Sequence, residues 1–294
     1  MPATETPSPP TQEPPMKLSG EVTLETLRSM YRTETAYLRA LIIGDKGVGK
    51  THLLKTARRP VLHFCFDPDG EQTLFEDGPD GTAQCPPWLF PLTSYSKVNV
   101  STEPDGRNGQ LAMQLFANDM NALRKSGTFS KMGTVCLDSL TLFGDAVLGK
   151  TLVEARQANP KHGKVMEIQD WGTFLNECQF WLKTLLALPT DVIILGHIQE
   201  DKDDVTGQII RNVMLPGSGS QRTPILLSEV YYMLMEKAQG QANMPPKRVL
   251  LTGQDSYYKA STRLGRDGKF AAREEPDLLA LRRKAGLSTE HLPY

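Results

Sequence analysis

The residues Gly44 to Thr51, GDKGVGKT, fit the spacing G-x-x-x-x-G-K-[ST] at every fixed position. Each residue type in that spacing has a task around phosphate. Glycines let the backbone wrap closely, so that N–H groups converge on phosphate oxygens. Lys50 is a mobile point charge with the reach for β- and γ-phosphates, and the Thr51 hydroxyl suits Mg²⁺. The contact set read from this stretch is Gly44, Asp45, Lys46, Gly47, Val48, Gly49, Lys50, Thr51 and His52.

Phosphate chemistry needs further parts. An acidic residue at a neighbouring strand end holds Mg²⁺, and TVCLD supplies Asp138; its alternative role is a helix cap. A carboxylate that positions or deprotonates water is the next part. The apolar run Val61–Phe66 ends in DPDG, which offers Asp69 as first choice and Asp67 as second, against a plain β-turn. The run VIILGH ends in His197, either a γ-phosphate sensor or a structural group. Lys259 and Arg263, in YYKASTR, are four residues apart and share one face of an expected strand. They read as cations acting on a neighbouring subunit's site, or as a solvated edge.

These residues need a sheet to carry them. Apolar strand-like runs occur at Leu38–Ile43, Val61–Phe66, Lys97–Val100, Thr134–Leu137, Val192–Leu195, Val230–Met235, Val249–Thr252 and Tyr257–Thr262. The early runs are nearly continuous, as in parallel strands buried on both faces. The late ones are closely spaced, which predicts antiparallel hairpins, with a turn at Gly253–Ser256. Helical patterns cover His52–Arg58, Gln110–Lys125, Leu140–Asn159 and Ile168–Ala187. The last carries Trp171, Phe174, Leu175, Cys178, Trp181, Leu182 and Leu185 at helical spacing, read as a core stripe and not as a base-stacking face. Glu71–Tyr95 and Gln199–Thr223 read as long irregular loops.

The chain has 294 residues and a formal net charge of −1, so any polyanion contact must be local. No apolar run reaches the roughly 18 residues of a membrane span, and the start lacks the pattern of a secretion signal. Cys65, Cys85, Cys136 and Cys178 form no C-x-x-C pair and read as reduced thiols of a cytoplasmic protein. Residues 1–20 are Pro-rich and predicted disordered, with a short helix expected over Val22–Tyr31. Residues 21–270 form the expected domain and 271–294 a helical tail, in which Arg282, Arg283 and Lys284 form a solvated face or an extra phosphate contact.

Taken in order, GDKGVGKT, VCLDSLT, a long helix and VIILGH resemble the RecA-like ATPase core. More closely, the chain looks like phage nucleotide-binding proteins of the AAA-domain type, which include single-strand annealing and recombination ATPases. The likeness covers roughly Leu38 to Arg263. It implies an α/β fold: a mostly parallel sheet flanked by helices, with antiparallel strands at the C-terminal edge. It implies ATP and Mg²⁺, with Lys50, Asp69, Asp138 and His197 catalytic; Asp69 takes the place of a catalytic glutamate, one carbon shorter. It implies a ring or filament of identical subunits acting on single-stranded DNA, with a single-strand-binding protein as a further partner. Two segments fall where DNA loops lie: 156–164, with Arg156, Lys161 and Lys164, and Gln199–Thr223, with Arg211 and Arg222. Neither contains an aromatic residue of the kind that stacks bases. Two other classes compete: a GTPase switch, which DPDG fits but which lacks N-K-x-D, and a nucleotide-binding scaffold without turnover. An arginine-rich lid, as in small-molecule kinases, is missing from the sequence.

Overall fold

The near-continuous apolar runs become the centre of one twisted sheet. Its strands are β1 (Arg39–Gly44), β2 (Val61–Cys65), β5 (Leu89–Leu92), β6 (Thr134–Asp138), β7 (Asp191–Gly196), β10 (Glu229–Glu236), β11 (Lys247–Leu251), β12 (Ser261–Thr262) and β13 (Arg273–Glu274). Two small hairpins lie outside it: β3 (Glu76–Asp77) with β4 (Ala83–Gln84), and β8 (Ile198–Lys202) with β9 (Ile209–Val213). The helices are α1 (Ser94–Asn99), α2 (Arg107–Lys125), α3 (Leu140–Ala158), α4 (Ile168–Leu186), α5 (Gly219–Arg222) and α6 (Leu278–Ala285). The order across the sheet is β13-β11-β10-β1-β7-β6-β2-β5, with β12 added on β10. Strands β10, β1, β7, β6, β2 and β5 are parallel, while β11, β12 and β13 run antiparallel at one margin. The fold is therefore the expected one, a mostly parallel sheet with an antiparallel edge.

The coordinates are a computed structural model that describes residues 37–99, 106–163, 165–202, 207, 209–236, 245–255 and 257–294. They belong to one unit, Tyr37–Tyr294; the other, Met1–Ala36, holds the Pro-rich tail and the helix expected over Val22–Tyr31, and lies outside the described residues. Val100, Lys164 and Ser256, each part of a sequence expectation, also lie outside them.

Alternation along β1 splits the core. Leu41 and Ile43 face helices α2, α3 and α4, through Phe116, Phe143 and Cys178. Ala40 and Ile42 face Leu53, Leu54 and Trp88, with Leu278 and Leu281 from α6. Helix α6 is capped by Asp277, whose Oδ1 accepts from Ala280 N at 2.9 Å. Arg282 does not belong to a solvated face. Only 3% exposed, it pairs with Asp191, itself 2% exposed, at the start of β7. Lys284 pairs with Glu274.

Five local expectations differ from the structure. The segment after the phosphate loop forms only a 3-10 turn, Thr51–Thr56, and β2 begins soon after it at Val61. Lys97 lies in helix α1, not a strand: Tyr95 is buried and stacked on Phe66, with ring centroids 4.9 Å apart. The outer strand is instead LFPL, inside the stretch read as irregular, where an edge position tolerates Pro91. Gln199–Thr223 contains β8, β9 and the short helix α5. The strand expected over Tyr257–Thr262 shrinks to β12 plus a bridge at Tyr258, so Lys259 and Arg263 flank a strand and do not share its face.

Candidate nucleotide site

Parallel strands that run the same way present their carboxyl ends together, and loops beyond those ends meet in one crevice. Here β1 leads into Gly44–Thr51, β2 into Asp67, β6 ends in Asp138, and β7 leads into His197. Lys46, Gly47, Gly49, Lys50, Thr51, His52, Asp67, Thr73, Asp138, His197 and Arg248 line one cavity of about 370 Å³.

The loop adopts a conformation that only glycine accepts readily at two places, Gly47 at φ 79° and Gly49 at φ 103°. Val48 turns inward against Gly44. Lys50 is 7% exposed, and its Nζ donates to the Gly44 and Asp45 carbonyls at 2.8 and 3.0 Å. Burial lowers its pKa, while Asp138, Asp67 and Asp45 oppose that shift. The 3-10 turn after the loop is too short for a substantial helix dipole, so the loop amides and Lys50 make the anion cradle.

Asp138 is the most constrained carboxylate of the cavity. It is 1% exposed, and Oδ2 accepts from Thr51 Oγ1 at 2.7 Å. His63 Nε2 lies 3.2 Å from the same oxygen. Burial alone would push the Asp138 pKa up; the His63 hydrogen bond and charge, Thr51 and Lys50 outweigh it and hold it low. An ionised carboxylate beside a threonine hydroxyl is an all-oxygen donor pair that suits Mg²⁺, which takes few protein ligands and keeps water or phosphate for the rest. Thr51 and Asp138 therefore fit such an ion.

Asp67 and Asp69 part company. Asp67 lines the cavity, half-buried, with Ser139 Oγ donating to its Oδ1. Burial and then the nearby Asp138 raise its pKa. Asp69 stands exposed at φ 55°, its Oδ1 accepting from Gln72 Nε2 at 3.2 Å, and does not line the cavity. Of the two, the second choice from sequence is the one brought to the phosphate loop. His197 lines the cavity too; burial and then Lys50 lower its pKa, against Asp67 and Asp138. Its backbone N donates to Thr141 Oγ1 at 3.2 Å.

Lys259 and Arg263 stand elsewhere. They line a separate cavity of about 530 Å³ with Asn212, Ser220 and Tyr232, near Glu229 at the start of β10, whereas the phosphate loop follows the end of β1. Arg211 pairs with Glu200 and packs on Tyr258. Arg222 and Lys161 are exposed, and Arg156 Nε donates to Gly163 O.

Thr73, Arg248 and His63 belong to the site without being singled out by the sequence patterns. Arg248, on β11, lays its side chain over the loop: Nε is 3.0 Å from where a Gly49 Cβ would stand. Among the described residues its guanidinium faces no carboxylate partner. Nothing local marks it, since antiparallel pairing of β11 on β10 brings it there. His63 did leave a signal: it is the polar residue inside the fully buried run VLHFC.

The AAA domain family model matches residues 36–264, and the chain belongs to that family. A solved structure described as a prototypical ATPase from the type III secretion system of pathogenic bacteria is 14% identical, with a TM-score of 0.40. The match covers 71% of this chain and spans 56% of the length of that one. No curated protein matches.

Proposed function

We propose that this member of the AAA-domain family binds ATP with Mg²⁺ at Gly44–Thr51 and hydrolyses it. The observation that carries the proposal is the 2.7 Å contact of Thr51 with Asp138, in one cavity with Lys50, Asp67 and His197. In this reading the loop amides and Lys50 hold the β- and γ-phosphates. Lys50 turns from the Gly44 and Asp45 carbonyls toward the incoming anion. Mg²⁺, when bound by Thr51 and Asp138, neutralises charge on the phosphates. Asp67 orients the attacking water and accepts its proton, with Ser139 fixing the carboxylate. His63 positions Asp138 from behind. Arg248 adds a cation to the phosphate chain from the same subunit, beside Gly49.

The wider role in our reading is that of an oligomeric RecA-like ATPase working on single-stranded DNA in phage-type recombination or replication. Lys259 and Arg263 would then face a neighbouring subunit, and the segments 156–164 and 199–223 would face DNA. The division into a 1–20 tail, a 21–270 ATPase domain and a 271–294 tail belongs to the same proposal. Its support is the AAA-domain match and the local cations. Binding of fluorescent ATP and GTP, followed by hydrolysis with and without single-stranded DNA, tests it. The proposal expects ATP preference and DNA-stimulated turnover. Tight ATP binding without turnover would favour a scaffold, and GTP preference a switch.

A further inference from the structure

Helix α4 begins where the two candidate DNA segments meet. From one side, His162 Nε2 lies 2.8 Å from Asp170 Oδ2, and Glu167 N donates to the same oxygen at 2.7 Å. Together with the Arg156–Gly163 hydrogen bond, this ties the end of α3 and the following loop to the first turn of α4. From the other side comes Gly217, at φ 62°. A Cβ on Gly217 would stand 3.0 Å from Trp171 Cε3, so the indole lies directly on this backbone. Trp171 thus sits between the two segments.

Its exposure sets it apart from the buried stripe, although its ring meets Phe174 edge-on with centroids 6.0 Å apart. Phe174, Leu175, Cys178, Leu182 and Leu185 of the same stripe are buried, but Trp171 is 38% exposed. Ile168, one turn earlier, is 95% exposed. With Val165, 75% exposed, and Met214, 41% exposed, on the adjoining segments, the exposed apolar side chains here are four among the described residues, still too few for a stable protein interface, which buries about 1,200–2,000 Å². They do match the need of one or two unpaired bases, which take an aromatic face and no sequence-specific partner. The charge fits as well: exposed Lys161 and Arg222 stand one on each flanking segment, available to backbone phosphates. Neither segment has a base-stacking aromatic residue of its own, and the fold supplies one from a third element.

The platform is also joined to the nucleotide cavity. Met214 N donates to His197 O at 2.8 Å, and Thr141 Oγ1 donates to Met214 O at 3.1 Å. His197 lines the cavity, and Met214 is three residues from Gly217.

We infer that Trp171 is a base-stacking platform for single-stranded nucleic acid, lying between residues 156–163 and 214–222; this rests on the DNA-binding reading above. The test uses the full chain with an ATP analogue and an oligothymidylate. Intrinsic fluorescence and anisotropy are followed together; Trp88 is buried and Trp181 half-buried, so Trp171 is the tryptophan that bases can reach. The inference expects quenching on binding and, for Trp171→Ala, affinity lower by roughly 5- to 150-fold, the equivalent of one stacked base. Trp171→Phe should keep most of the affinity, and ATP-analogue binding should be unchanged in both variants. Wild-type affinity in Trp171→Ala, with or without a change in oligomer size, overturns this inference and leaves DNA binding standing. Failure of the wild type to bind the oligonucleotide overturns the DNA reading and this inference together.

Discussion

The parallel half of the sheet and its antiparallel margin position functional groups in different ways. In the parallel half, Gly44–Thr51, Asp67, Asp138 and His197 each follow directly on a buried strand or end it. Strand direction alone then brings them to one crevice. At the margin, Arg248 arrives through pairing of β11 with β10; likewise by a distant contact, Arg282 arrives through helix α6 packing back on the sheet to meet Asp191 at the start of β7. The first kind of placement is local and repeats a pattern. The second depends on contacts between residues far apart in sequence, such as Arg282 with Asp191, 91 residues away. Motif-bearing residues are therefore legible early, and the groups that complete their surroundings are not.

Substitutions can separate the two regions, and the largest effect belongs to the parallel half. Asp67→Asn should lower ATP turnover by roughly 10²- to 10⁴-fold, the worth of a general base, while Asp69→Asn should stay within about twofold. Equal losses in both would return Asp69 to the site. Where helix α6 packs back on β7, Arg282→Met leaves the buried Asp191 without its partner, which should cost about 3–5 kcal/mol of stability in chemical denaturation. A smaller loss would mean that α6 is not fastened through this pair.

Arg248→Ala should weaken binding of an ATP analogue by roughly tenfold, about 1.4 kcal/mol, with Arg248→Lys in between. The guanidinium is exposed, so both variants should melt like the wild type. Unchanged affinity would confine phosphate contact to the parallel half.

The smallest effect is one of pH. His162 has a raised pKa, through the Gly163 carbonyl and then Asp170. A raised folded pKa stabilises at pH below the ordinary value of 6.5, and that contribution fades as pH climbs through the folded value. Asp170 is held low, with burial outweighed by the Glu167 amide and His162, so its share is lost only in acid, below the ordinary carboxylate value of 3.8. Melting temperature should fall modestly as pH rises above about 6.5, and His162→Ala should flatten that slope. An unchanged slope would show that the pair does not fasten this loop.

The strands of the parallel half were readable because burial on both faces imposes unbroken apolar runs, as in DVIILG. The hairpin β8–β9 was not, since IQEDK and IIRNV are only partly buried and lack that signal. Asp138 was legible from its strand end, but the choice between Asp67 and Asp69 turned on a left-handed residue at Asp69 that points its carboxylate to Gln72. Trp171 kept the helical spacing of its stripe yet lies beyond the core, against Gly217, a contact that periodicity cannot report. Arg248 carries no local mark at all.

The central claim is that Gly44–Thr51 holds ATP for hydrolysis, and steady-state release of phosphate with Mg²⁺ by the wild type and Lys50→Ala measures it directly. The expected result is turnover in the wild type and a loss of at least about 100-fold in the variant, the worth of one charge-stabilising group. Turnover that survives Lys50→Ala unchanged, or a wild type that releases no phosphate with or without single-stranded DNA, would contradict it.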